Sequence, residues 1–513
     1  MYTGSLLNGD VVLAVGCCGV AYSITVAVDA AGLVTDYPAM QNRSGQIEVT
    51  MRHTSYFESI DIAQLSDQYP PGRLFLDRFA GMSLDELRAL QSARLQKVLA
   101  RAAQLPFYRR LWGAAGADHR DVTRIDELHR LPAFGKREIM DSIERFPPFG
   151  DHHGRDIPVD GKLLPMMLHA TSGTTGRPQP LLYGPKTREV HKLLLARAYL
   201  LQGLTPQDVV HSVYGHGPVN GGHYIREAVV HHTGAVFFPA GTGVETPSLK
   251  QVEFMQAFGA TVIVGFADYI KRLADVAREA GLEPGRDLPV RMISGHLAKD
   301  ARHSLSQAWG GAELYDWYGV GDTGIIATEG PDHDGMHVLE DAHWMEVCDV
   351  DTGQPIDAPG ERGDMIISCL FSDEVFPMVR FNTHDVTEYL PGESGLGLPF
   401  RRIEGFLGRS DSMVKLRGIN VYPQALSSIL ADMPGFRGEY LCVVAAVGGR
   451  EQMTVRIECS DPATDALRER YGSELKRRLG VEVGVELVAV QSLAALTGVE
   501  VRQKPIRLID ERG

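Results

Sequence analysis

The sequence predicts an α/β protein with a large N-terminal domain on a helix-covered, mostly parallel sheet. A small C-terminal α+β domain, joined by a hinge, is expected to follow. Three observations predict it: apolar runs alternate with helical stretches between residues 187 and 317, glycine-rich polar segments follow those runs, and the pattern changes near residue 409. The chain has 513 residues, more than a single core of about 250–300 usually organises. The expected division is an N-terminal extension over 1–78, a large domain over 79–408 and a lid over 409–513.

Within the extension, "VVLAVGCCGVAYSITVAV" is apolar, but no Lys or Arg precedes it and glycines interrupt it. It is a poor signal peptide and a marginal membrane span, so no membrane association is expected. Met51 opens a more ordinary N-terminus, "MRHTSYFESIDIAQL", and is the expected natural start. Next comes "MSLDELRALQSARLQKVLARAAQLPFY", with Ser83 and Glu86 at capping-box spacing and leucines at helical intervals.

The alternating region reads helix "TREVHKLLLARAYLLQG", run "DVVHSVY", run "AVFFPA", helix "LKQVEFMQAFGA", run "TVIVGF", helix "ADYIKRLADVAREAG", run "VRMISGH", a helix, then "AELYDW". Such alternation implies parallel strands covered on both faces. Ligands on these sheets bind beyond the carboxyl ends of strands, which here read "YGHG", "GF", "SGH" and "YGVGDTG". After "GRSDSMVKLRG" come a short helix, strands "LCVVAAV" and "MTVRIEC", helix "TDALRERYGSELKRRL" and strand "VEVGVELVAV".

Composition narrows the function. The formal net charge of −14 argues against a nucleic-acid partner held by phosphate contacts. The six cysteines form no CxxC pair, which leaves neither a zinc motif nor a disulfide framework and fits a reduced, cytoplasmic setting.

The stretch "LHATSGTTGRPQPLLY" joins Ser172, Thr174 and Thr175 to Gly173 and Gly176. Hydroxyls and close-approaching amides suit phosphate oxygens. It is not a P-loop, because Arg177 is followed by Pro178, Gln179 and Pro180 rather than by a helix. "LLY" reads as a strand, so the loop is expected at the tip of a hairpin.

Taken with "VYGHGPVNGG", "YDWYGVGDTG", "FPMVRFNTHDVTEYL", "GRSDSMVKLRGINVYPQAL" and "QKPIRLIDER", that loop resembles the adenylate-forming (acyl-CoA synthetase/luciferase) superfamily. More narrowly, the ordered set, covering about residues 80 to 513, resembles the phenylacetate–CoA ligase family. The resemblance implies activation of an aryl or arylacetic carboxylate with ATP and Mg²⁺, followed by acyl transfer to coenzyme A. The other readings are transfer to an amine or carrier protein, activation of another small anion, and nucleotide binding without turnover. The partner is a small-molecule carboxylate, and a homodimer stays open.

The resemblance also implies roles. Ser172, Gly173, Thr174, Thr175 and Gly176 hold phosphates; Tyr318 stacks the adenine, Gly319 beside it belongs to the ATP/AMP-binding set, and Gly295 lines the base; Asp385 accepts the ribose hydroxyls; Arg409 reaches ribose or phosphate. Asp322 stands where the family has Glu as a magnesium ligand. Asp411 matches the hinge, and Lys504 the lysine that meets the carboxylate and α-phosphate. Tyr214, His216, Gly217, Gly265 and Phe266 line the acyl pocket, where His216 and His223 favour an acid bearing ring hydroxyl or amino groups. His384 and Gln503 replace glycines usual in the family. A side chain at 384 is expected to crowd or contact the nucleotide, and Gln503 to stiffen its loop.

Overall fold

The computed structural model describes residues 54–171, 178–297, 302–417, 419–431, 433–447, 450–499 and 505–512, with backbone pairing also assigned for strands within the first 53. Four of those early strands, between residues 3 and 36, pair into an antiparallel sheet.

Helix α1 (Leu84–Ala102) starts where the capping box requires. The Ser83 hydroxyl accepts the Glu86 N–H at 3.3 Å, and the Glu86 carboxylate accepts the Ser83 N–H at 2.9 Å. Two orphan donors are satisfied reciprocally. Leu87, Leu95, Val98 and Leu99 are buried along one stripe.

Strands β1 (Met167–Ala170) and β2 (Pro180–Tyr183) form the expected hairpin, Ala170 facing Pro180. Helix α2 (Pro185–Leu201) follows with Pro185 at its first turn, where a missing N–H costs nothing. It is buried on nearly every side, and even Arg197 is fully enclosed. Its guanidinium donates to both Asp341 oxygens, at 2.7 and 3.1 Å, and to the Pro70 carbonyl at 2.9 Å.

Strand β3 (Val209–Ser212) leads to α3 (Gly221–His232), β4 (Val236–Pro239), α4 (Ser248–Phe258), β5 (Val262–Phe266), α5 (Ala267–Glu279), β6 (Met292–His296), α6 (Arg302–Ala308) and β7 (Glu313–Val320). All five of these strands run parallel. Alternate residues of β5 face opposite ways. Val262 and Val264 enter one core with residues of α2 and α3, while Ile263 enters another with residues of α4 and α5. Both faces are therefore covered, as a parallel sheet demands.

Strands β8 (Gly324–Glu329) and β9 (Met336–Val338) extend the sheet antiparallel. β10 (His343–Cys348), β11 (Arg362–Cys369) and β12 (Phe381–Glu388) build a second, antiparallel sheet. β13 (Arg402–Ile403) returns to the first sheet and β14 (Gly408–Arg409) to the second. Among the described residues the large sheet has eight strands in the order β4-β3-β5-β6-β7-β8-β9-β13. It is parallel through β7 and antiparallel beyond it.

The C-terminal unit contains β15 (Phe436–Val447), β16 (Arg450–Cys459), α7 (Asp465–Leu479), β17 (Gly484–Val488) and β18 (Leu508–Asp510), its sheet ordered β17-β16-β15-β18. Tyr440, Val444, Met453, Val455, Tyr471 and Leu475 give it a core of its own. Arg507 ties it to the large domain. Its guanidinium donates to Glu439 at 3.0 and 3.1 Å and to Asp268, the second residue of α5, at 3.4 Å. Among the described residues no helix is long and apolar enough to cross a membrane.

Candidate active site

The carboxyl ends of β3, β5, β6 and β7 converge on one edge, and the packing there dictates glycine. Gly265 and Gly295 face each other across β5 and β6. A Cβ on Gly295 would lie 1.8 Å from the Gly265 carbonyl oxygen, and one on Gly265 2.1 Å from Val213. Rings then fill the edge: Tyr214 meets Phe266 edge-on at 5.1 Å, and His296 lies 5.0 Å from Phe266 and 4.3 Å from Trp317. The Tyr214 hydroxyl donates to the Gly265 carbonyl at 3.3 Å.

Tyr318 and Gly319 sit at a register shift between β7 and β8. Such a bulge re-aims side chains, and here the Tyr318 hydroxyl donates to Asp385 on β12 at 2.7 Å. Arg409, opposite Asp385 in the β12–β14 pairing, donates to its other oxygen at 2.7 Å. The same guanidinium holds both Asp411 oxygens, at 2.8 and 2.5 Å. Burial alone would lower the Arg409 pKa, but Asp411 and Asp385 outweigh it and raise it. Burial, with Asp385 beside it, pushes the Tyr318 phenol far up. Tyr318, Asp385, Arg409 and Asp411 thus form one bonded chain across the junction between the large domain and the C-terminal segment.

At the hairpin, the Thr171 N–H donates to the Gln179 carbonyl at 3.0 Å and the Gln179 N–H to the Thr171 hydroxyl at 3.1 Å. The Gln179 side-chain amide then donates to Asp322 at 2.6 Å. Burial pushes the Asp322 carboxyl from the ordinary 3.8 up to about 6, opposed by that hydrogen bond and by Lys136. A raised folded pKa favours the neutral acid, so this group's contribution to stability is intact below pH 3.8 and lost as pH rises through about 6. An ionised carboxylate held under that penalty suits a hard cation, and Mg²⁺ takes oxygen ligands shared between a carboxylate and phosphates. The chemistry of Asp322 therefore fits a magnesium ligand, tied through Gln179 to Thr171 at the end of β1.

Three histidines gather beside the aromatic edge. His223 lies 5.1 Å from His169 and 5.7 Å from His216, ring centre to ring centre. Its Nε2 pairs with the Gly217 carbonyl at 2.8 Å, and His169 Nδ1 with the Pro218 carbonyl at 3.2 Å. Both ring nitrogens of His216 are buried without a partner among the described residues. Burial and the neighbouring His223 hold its pKa below the ordinary range, so the ring is neutral near pH 7.

His384 has φ of +57°, a left-handed backbone that glycine adopts freely. Its ring is engaged by Asp364 at 3.5 Å and Ser410 at 3.3 Å. Asp364 raises the imidazole pKa against the effect of burial. The side chain is thus held by protein groups of its own.

Of the expected site residues, Ser172, Gly173, Thr174, Thr175, Gly176 and Lys504, with Gln503, lie outside the described residues. Tyr214, His216, Gly217, Gly265, Phe266, Gly295, Tyr318, Gly319 and Asp322 lie in or just after the carboxyl ends of β3, β5, β6 and β7, whereas Asp385 sits within β12 of the second sheet, with Arg409 on its neighbour β14 and Asp411 just beyond. The sequence reading misses Gln179, His169, His296 and Arg507. Only His169 carries a visible signal, a polar ring in the strand leading into the hydroxyl loop.

Residues 418–512 match the family model described as the AMP-binding enzyme C-terminal domain. Over 431 residues the chain is 28% identical to the phenylacetate-coenzyme A ligase of Thermus thermophilus, covering 79% of this chain and 93% of that one. The crystal structure of 2-hydroxyisobutyryl-CoA ligase in the postadenylation state, in complex with 2-HIB-AMP, superposes with a TM-score of 0.73 at 26% identity, covering 85% of this chain and 91% of that one. The same ligase in complex with 2-HIB-AMP and CoA in the thioesterification state gives 0.61 at 28% identity with equal coverage. The chain is an adenylate-forming enzyme, phenylacetate–CoA ligase-like in sequence and fold.

Proposed function

We propose that the chain adenylates a small aromatic carboxylate with ATP and transfers the acyl group to coenzyme A. In the first half-reaction a carboxylate oxygen attacks the α-phosphorus of ATP. The bond to pyrophosphate breaks, leaving acyl-AMP. In the second, the thiol of coenzyme A attacks the acyl carbon, and AMP leaves as the thioester forms. The bonded chain Tyr318–Asp385–Arg409 at the sheet edge is the observation that carries this reading.

In the proposal Asp385 accepts the ribose hydroxyls while Tyr318 and Arg409 fix its orientation. The first step sets an anion against a polyanion, so cationic groups aimed at the developing charge supply most of the rate. Arg409 and Lys504 fill that role. Mg²⁺ bound at Asp322 would neutralise phosphate charge. Tyr214, Phe266 and Trp317 offer flat apolar walls suited to an aromatic acid. Carboxylate-dependent exchange of pyrophosphate into ATP tests the first step, and thioester formation on adding coenzyme A the second. Exchange without thioester would redirect the acyl group to an amine or a carrier protein.

The orphaned nitrogens of His216 refine the substrate. A neutral imidazole offers one donor and one acceptor, which an acid bearing a hydroxyl or amino group would satisfy. His216→Phe is expected to lower the exchange kcat/KM for a hydroxylated arylacetate about 3- to 10-fold, the worth of one neutral hydrogen bond. The unsubstituted acid should be unaffected. Equal losses on both acids would remove this role from His216.

Proton and cation compete for Asp322. Exchange activity is accordingly expected to rise with an acid limb near pH 6, the value to which burial moves this carboxyl, and the limb should move lower as Mg²⁺ is raised. Asp322→Asn should abolish both the limb and its magnesium dependence in pH profiles at two Mg²⁺ concentrations.

A further inference from the structure

We infer that Glu189, His231 and His232 form a binding site for a zinc-type dication, clasping helices α2 and α3 away from the adenylation residues. Glu189 lies in the early turns of α2 and the two histidines in the last turn of α3. One ligand atom from each lies within 4.8 Å of the other two. Glu189 is buried, His232 half-buried and His231 exposed.

Several observations converge on a cation here. His232 Nε2 is buried with no hydrogen-bond partner among the described residues. A buried polar atom left unsatisfied in a native structure calls for a missing partner. The negative end of the α3 dipole points at the site, since both histidines close its C-terminal turn. Two imidazole nitrogens and one carboxylate oxygen make a borderline donor set, which selects zinc or its neighbours over magnesium or calcium. Tetrahedral zinc bonds of about 2.0–2.2 Å put ligand atoms about 3.4 Å apart. The ring of His231, being exposed, can turn to close that gap.

The opposing charge is Lys192. Its ammonium donates to Glu189 at 2.6 Å and lies 3.0 Å from Glu227. Glu227 also accepts from Arg188 at 2.9 and 3.0 Å. Lys192 therefore has a second carboxylate to keep when a metal takes Glu189. Tyr56, whose hydroxyl donates to Glu189, would orient the carboxylate from behind, as partners of metal ligands do. Near its other end α3 carries His223, so the clasp would also steady the histidine group beside the aromatic edge.

The test uses the full-length protein without a polyhistidine tag, cleared of metal with chelator and titrated with Zn²⁺ alone by calorimetry and thermal unfolding. One Zn²⁺ per chain is expected, with Tm raised by a few degrees through preferential binding to the folded state. Mg²⁺ should not substitute. His231→Asn, a surface change, should weaken binding at least about tenfold, and the His231→Asn/His232→Asn double variant should abolish it. Asp322→Asn should bind Zn²⁺ as wild type. Absence of saturable Zn²⁺ binding, undiminished binding in the folded double variant, or loss confined to Asp322→Asn would overturn the assignment.

Discussion

Replacing Lys504 by alanine is expected to lower carboxylate-dependent pyrophosphate exchange by about 10²–10³-fold, the usual effect of deleting one preorganised contact to developing charge. Thioester formation from preformed acyl-adenylate should change little, because in the proposal Lys504 serves only the first half-reaction. In the described part of the same C-terminal segment, Arg507 fastens the small unit to the large domain. It stacks over the Tyr440 ring at 4.4 Å, donates to Glu439 and reaches Asp268 of the large domain. A wild-type exchange rate in the variant would remove Lys504 from the first step.

The second large effect concerns stability. Arg197 and Asp341 are fully buried and paired through two hydrogen bonds, with the guanidinium over Phe75 at 4.3 Å. Asp341→Ala strands that charge and is expected to destabilise the large domain by about 3–5 kcal/mol. A double replacement, Arg197→Met with Asp341→Leu, should recover most of the loss, because two apolar groups carry no desolvation cost. Urea unfolding midpoints for the single and double variants check both statements. The single variant falling no further than a surface substitution would show that the pair carries little.

The parallel half of the large sheet is legible in the sequence because most of its strands are short apolar runs set off by helices, although α3, between β3 and β4, is not read there and β7 carries Glu313 and Asp316. The sheet's antiparallel continuation is not legible. All six residues of β8 are buried, so "GIIATE" shows no alternation, and Glu329 is tolerated inside because Arg302 pairs with it at 2.8 Å and the Asp316 N–H donates to it at 2.6 Å. The bonded chain around Asp385 is legible only through motif resemblance, since Tyr318 and Asp385 are 67 residues apart and nothing local links them. Gln179 reads in the sequence as part of a helix-breaking run between prolines. Its amide's reach to Asp322 spans 143 residues, and no spacing rule reports such a contact. For His384 the sequence alone suggests crowding of the nucleotide. Its left-handed backbone and its tie to Asp364 depend on a partner strand that its own segment does not reveal.

Through its amide, Gln179 joins the root of the hydroxyl turn to the carboxylate suited to magnesium. In the proposed function, triphosphate grip, cation uptake and proton release would therefore be coupled. A fall in ambient pH and a shortage of free magnesium would be felt through the same single contact. A lineage that altered residue 179 would shift its tolerance of both at once.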